Sequence, residues 1–166
     1  MFSKTDFENI VWDFLFTYRQ FLLNGYLHKR VNHNAYEANP ATWNTLLLSL
    51  ETGFLLGLAR ILEREDNLGR PFNDKELNEI SEKLKKIRNS IAHTDLSKMR
   101  DMDSFLNENR LTGTEIIKII NALKKGLIQY QKNLKFEIDV QNLFTQSQNN
   151  ALKDLDSWLK SFKTEL

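Results

Sequence analysis

A chain of 166 residues with 41% hydrophobic and 27% charged residues has the length and composition of one globular domain with a core of its own. Its formal charge of +1 selects no class of partner, since a local basic patch is enough for nucleic acid. The absence of cysteine excludes disulfides, a thiol nucleophile and thiolate metal ligands.

Met1-Phe2-Ser3-Lys4-Thr5-Asp6 has neither the basic start nor the small-residue cleavage site of a signal peptide. Residues 46–62 are the most apolar run, but they carry Glu51 and Arg60 and are short for a bilayer span. The expectation is a soluble, cytoplasmic protein with no membrane partner. Two prolines and six glycines in the whole chain suit long helices. Phe7, Ile10, Val11, Phe14, Leu15, Tyr18, Phe21, Leu22 and Tyr26 predict a first helix, with Ser3 and Asp6 as its capping pair. Residues 31–39 are rich in Asn and read as a loop, ended by Asn39-Pro40 as an N-cap followed by Pro in the first turn. Trp43, Leu46, Leu47, Leu50, Phe54, Leu58, Ile61 and Leu62 mark a second helix, and Leu48, Leu55 and Leu56 leave it little polar face. It is expected in the core or at a subunit contact, with Gly53 and Gly57 admitting a close helix neighbour.

After a break at residues 67–73, Asn73 and Glu76 form a cap for a helix with Leu77, Ile80, Leu84, Ile87 and Ile91 inward. Residues 96–110 read as a loop with a short helix near Ser104. Thr112 and Glu115 form a capping-box pattern ahead of Ile116, Ile120, Leu123, Leu127, Tyr130 and Leu134. Residues 136–148 are ambiguous, with a brief strand-like look at 136–140, and residues 151–162 close the chain as a helix with Leu152, Leu155, Leu159 and Phe162 on one face. The sum is a single all-α, up-and-down bundle of about five helices over residues 1–166.

The most informative stretch lies at the end of the third of these helices: Lys85-Lys86-Ile87-Arg88-Asn89-Ser90-Ile91-Ala92-His93-Thr94-Asp95. At 100° per residue, Lys85, Asn89 and His93 form one polar stripe with Arg88 beside it, next to the apolar seam of Leu84, Ile87 and Ile91. Arginine grips phosphate in a fixed fork, and histidine exchanges a proton near neutral pH. Lys83, Lys85 and Lys86 add positive charge one turn earlier, countered in that turn only by Glu82, which would attract a phosphodiester.

Arg88-Asn89-Ser90-Ile91-Ala92-His93 resembles the Arg-x4–6-His signature of HEPN domains (higher eukaryotes and prokaryotes nucleotide-binding), in which Asn commonly follows the Arg. Ala92-His93-Thr94-Asp95, with Leu58-Ala59-Arg60-Ile61-Leu62 before it, is most similar to the abortive-infection, phage-defence branch. The resemblance runs from about Trp43 to Asp95 and, more loosely, over the whole bundle. It implies a four-to-five-helix bundle that dimerises with two motif helices facing one cleft. Many members are metal-independent endoribonucleases, toxins or effectors with a neutralising antitoxin or defence-system partner; others are non-catalytic regulatory or binding modules, which here would bind a nucleotide, RNA or protein partner. In members silenced by a partner nucleotidyltransferase a Tyr lies two residues beyond the His. Here Asp95 stands there, so tyrosine AMPylation is not expected.

RNA carries its own nucleophile, the 2′-OH, so such a site needs only proton transfer and charge stabilisation, with no metal or other cofactor. His93 would move the proton, Arg88 would hold phosphate oxygens as charge builds, and Asn89 would orient the phosphate or His93. Asp95 would fix the imidazole or cap a turn, and Lys85 and Lys86 would bind substrate. The same residues also have an ordinary structural use: a His near a helix C-terminus suits the helix dipole, and an Arg pairs with an acid. His28 and His33 lack a third metal ligand. Glu63, Glu65 and Asp66 read as a solvated face at a helix end.

Overall fold

Apolar side chains recurring every three to four residues fold into helices that bury one stripe each. The computed structural model describes residues 4–30, 34–63, 75–92, 111–135 and 137–161. These form six helices: α1 (Lys4–His28), α2 (Asn34–Ala38), α3 (Pro40–Glu63), α4 (Lys75–Ala92), α5 (Gly113–Leu134) and α6 (Val140–Ser161). There is no strand among the described residues.

Helix α1 is the hub. It runs antiparallel to α3: Asn24 Nδ2 donates to the Leu47 carbonyl at 3.0 Å near one end, and Arg60 donates to Asp13 at 3.3 Å near the other. Between those points Gly57 brings α3 close against Thr17. Helix α6 lies parallel to α1, joined by edge-on packing of Phe14 on Phe144 at 5.4 Å and by the ion pairs Arg19–Asp154 and Arg30–Asp156. Helix α5 runs antiparallel to α1, with Tyr130 stacked on Phe7 at 6.4 Å and the Lys124 ammonium 4.8 Å from the Tyr18 ring.

The main core is built from α1, α3, α4, α5 and the start of α6, around Phe7, Phe14, Leu58, Ile61, Leu84, Ile119 and Phe144. A second cluster, Leu27, Trp43, Leu47, Leu155 and Leu159, lies among α1, α3 and α6. The apolar seam expected for α4 is in place: Ile80, Leu84 and Ile87 are buried, and Leu77 and Ile91 pack against them.

Within the chain, helix α3 is buried along one side only. By length and composition it is long and apolar enough to cross a membrane, yet 33% of its most apolar window is buried within the chain. Trp43, Leu47, Phe54, Leu58, Ile61 and Leu62 are inward, while Leu48 is 66% exposed.

Two elements differ from the sequence reading. Residues 31–39 are not all loop: Asn34–Ala38 is a short helix, held where the Tyr36 ring meets Trp43 edge-on at 6.1 Å. Helix α6 begins at Val140, well before the expected residue 151, and absorbs most of the ambiguous segment. Asp139 opens it by accepting from the Asn142 N–H at 3.0 Å. Val140, Phe144 and Ala151 supply the buried face that its Gln- and Asn-rich sequence hides. Helix α3 begins at Pro40 as expected, with the Trp43 N–H bonded to the Asn39 carbonyl at 3.0 Å. The short helix near Ser104 and the capping roles of Ser3 and Asn73 fall outside the described residues.

Candidate functional site

The candidate site is carried by the second half of α4, which holds Lys85, Lys86, Arg88 and Asn89 in consecutive turns above the buried seam. His93 and Asp95 lie outside the described residues, so the helix delivers the chain to within one residue of the histidine.

Arg88 and Asn89 form one unit. The Asn89 Oδ1 accepts from Arg88 Nε at 3.1 Å and from the nearer terminal nitrogen at 2.6 Å, gripping one edge of the guanidinium. The other terminal nitrogen is ion-paired with Glu63, the last residue of α3. A carboxylate at a helix C-terminus meets the negative end of its own helix dipole, and Arg88 compensates it from the neighbouring helix. Glu63 is therefore not merely part of a solvated face. It is the acid that pairs with the motif arginine.

The lysines are less available than the local sequence implies. Lys83 is bonded to Glu115 of α5 at 2.6 Å, so Glu82 is not the only counter-charge. Glu82 itself pairs with Lys85 at 2.7 Å. Lys86 is exposed, and among the described residues it has no ion-pair partner. A shallow depression of about 390 Å³ lies outside α4, lined by Asn78, Glu79, Glu82, Lys83 and Lys86. Its two carboxylates offset its two lysines, so it does not form an anion cradle.

Glu115, bonded to Lys83 of α4, also closes the capping box that opens α5. The Thr112 hydroxyl accepts from the Glu115 N–H at 3.2 Å, and the Glu115 carboxylate accepts from the Thr112 N–H at 2.7 Å. The hydrogen bond from Lys83, then that from the Thr112 N–H, holds the Glu115 carboxyl below the usual carboxylate range. Away from the site, burial lowers the Lys124 ammonium and raises the Tyr18 phenol, and these two groups face each other at 3.5 Å.

The structure thus brings Arg88 and Asn89 together and leaves Lys85 engaged along its own helix. The two acids that sequence reasoning did not place at the site, Glu63 and Glu115, come from α3 and α5. The only sequence signals for them were a carboxylate at the end of an apolar helix and the Thr112–Glu115 cap. Among the described residues no three His, Asp or Glu side chains are grouped to hold a metal. Comparison of the chain with protein-family models, with curated proteins and with solved structures gives no match in any of the three.

Proposed function

We propose that this chain is a HEPN-like, metal-independent endoribonuclease of a prokaryotic defence or toxin–antitoxin system, with Arg88, Asn89 and His93 as its reactive group. The observation that supports the reading is the shared Arg88–Asn89 edge at the end of α4. A guanidinium clamped by its neighbour presents phosphate-binding N–H groups in a fixed direction, one turn before the histidine in the sequence.

In the reaction, the RNA 2′-oxygen attacks the adjacent phosphorus as His93 takes its proton. Arg88 stabilises the added negative charge on the phosphate, the bond to the 5′-oxygen breaks, and that oxygen takes up a proton. The products are a 2′,3′-cyclic phosphate and a 5′-hydroxyl. One histidine cannot act as base and acid at once, so a homodimer presenting two copies of the motif to one cleft suits the chemistry. Helix α3 has apolar surface to offer such a contact, Leu48 included. The test is incubation of metal-free protein with RNA beside the His93→Ala variant. Loss of cleavage in the variant, with cyclic phosphate ends in the wild type, is the expected result.

A second reading is favoured by a different observation. Arg88, Lys83 and Lys85 are all paired with carboxylates, as expected of a non-catalytic helical module in which the arginine joins two helices. In that case the module binds a nucleotide, RNA or protein partner, and neither the wild type nor His93→Ala cleaves RNA.

A further inference from the structure

We propose that Glu63 is a gate on the Arg88 site: its carboxylate occupies the guanidinium position that a phosphodiester would take, and RNA binds by displacing it. The inference rests on the reading of Arg88 as a phosphate-binding residue and adds a regulating residue that the motif itself does not contain.

Carboxylate and phosphodiester both offer an anionic oxygen to a guanidinium N–H, and Glu63 meets Arg88 through one terminal nitrogen. With Asn89 fixed on one edge of Arg88, the terminal nitrogen that faces away from Asn89 is the one bound to Glu63. A phosphate approaching from outside α4 meets a guanidinium whose charge is already balanced. The pair is open to exchange: the Arg88 and Glu63 side chains keep 32% and 39% of their exposure, and ion pairs this accessible are weak and readily screened. Asn89 is bound to Arg88 alone in the described contacts, so Glu63 can leave without undoing the clamp. The gate also differs from the neighbouring carboxylates. Glu82 pairs with Lys85 along one helix, and Glu115 is tied into the cap of α5, whereas Glu63 acts on the motif arginine from a different helix.

The two roles open to Glu63 predict opposite signs. A carboxylate that only holds Arg88 in position makes binding worse when it is neutralised. A carboxylate that competes with phosphate makes binding better, and only while Arg88 is present. The experiment uses the full chain as wild type, Glu63→Gln, Arg88→Gln and the double variant, each checked for unchanged helical content and a cooperative melt well above the assay temperature. The probe is an end-labelled 2′-O-methyl oligoribonucleotide of mixed sequence, which binds as a phosphodiester but offers no 2′-OH for cleavage, followed by fluorescence anisotropy in EDTA.

Expected is a tightening of up to about fivefold for Glu63→Gln over wild type, the equivalent of one exposed ion pair, and no tightening when the same change is made in the Arg88→Gln background. Equal or weaker binding by Glu63→Gln overturns the gate, as does no binding by any of the four proteins. The same gain in both backgrounds also overturns it, because the effect is then a loss of negative charge felt by any polyanion. RNA cleavage by the wild type is scored separately. An Arg88-dependent gain without cleavage keeps the gate and removes the ribonuclease reading; cleavage without the gain does the reverse.

Discussion

Glu63 and Arg88 are ion-paired across the junction of α3 and α4, while Asn89 holds the opposite edge of the same guanidinium. The arginine of the motif is thereby both a link between two helices and a group aimed by its neighbour. The structural part is small. Arg88→Ala should cost about 0.2–1 kcal/mol in stability, the range for an accessible ion pair, while lowering RNA turnover by about 10²- to 10⁴-fold. Urea titration and single-turnover cleavage read the two effects separately. A fall in stability of several kcal/mol would make the arginine a scaffold instead.

Lysines on the same helix should behave otherwise. Lys86→Ala is expected to weaken RNA binding and reduce its salt dependence, with a near-normal rate at saturating RNA. Lys85→Ala should do the same to a smaller degree, because Lys85 is already paired with Glu82. A lower rate at saturation in either variant would mark that lysine as part of the reacting group.

The contact of α1 with α3 makes a steric prediction. A Cβ added to Gly57 would lie 2.2 Å from Thr17 Oγ1, whereas one added to Gly53 would meet the end of the flexible Gln20 side chain at 2.6 Å. Thr17 is branched, buried and bonded to the Asp13 carbonyl, so it cannot swing away cheaply. Gly57→Ala should destabilise by about 1–3 kcal/mol despite the better helix propensity of alanine. Gly53→Ala should be close to neutral. Combining Gly57→Ala with Thr17→Ala should recover part of the loss; strict additivity in chemical denaturation would show that the two residues do not compete for space.

Acid should loosen the junction of α4 with α5. The folded-state pKa of Glu115 is depressed, chiefly by Lys83 and then by the Thr112 N–H. Its contribution is therefore complete above the unfolded-state value, about 4.3, and is lost as the pH falls through the lower folded value. Thr112→Ala should cost about 1 kcal/mol near neutral pH by removing the cap, and Glu115→Gln should flatten the acid limb of a stability–pH curve. An unchanged acid limb in Glu115→Gln would contradict this.

Lys135 ends α5 in the left-handed region, with φ 52° and its N–H bonded to the carbonyls of Gln131 and Lys132. A side chain is strained there and glycine is not. Lys135→Gly should raise stability by about 1 kcal/mol, visible as a higher melting temperature.

Much of the bundle was legible in the chain because burial leaves a periodic trace. The α4 seam and the Thr112–Glu115 box are local patterns, and both are found as read. Helix α6 was truncated in the reading because Gln141, Asn142, Gln146, Asn149 and Asn150 dilute a stripe whose buried residues before Leu155 are only Val140, Phe144 and Ala151. The short helix α2 was missed because its residues favour loops and its order depends on Tyr36 reaching Trp43. At the site, Arg88, Asn89, Lys85 and Lys86 were legible as a cluster because they are neighbours in sequence. Their counter-charges were not: Glu63 lies on another helix, and Lys83 finds Glu115 across 32 residues. Ion pairs between helices depend on packing angles that a single sequence does not display.

The central claim is that His93 and Arg88 together cleave RNA through its own 2′-OH. Its most direct measurement is the fate of a single labelled RNA, incubated in EDTA with wild type and with His93→Ala, with the product ends identified by mass. The prediction is a 2′,3′-cyclic phosphate from the wild type, a rate reduced about 10²- to 10⁴-fold in the variant with RNA affinity kept, and no cut where the scissile nucleotide is 2′-deoxy. Equal behaviour of wild type and a folded His93→Ala, or cutting at the 2′-deoxy position, would contradict it.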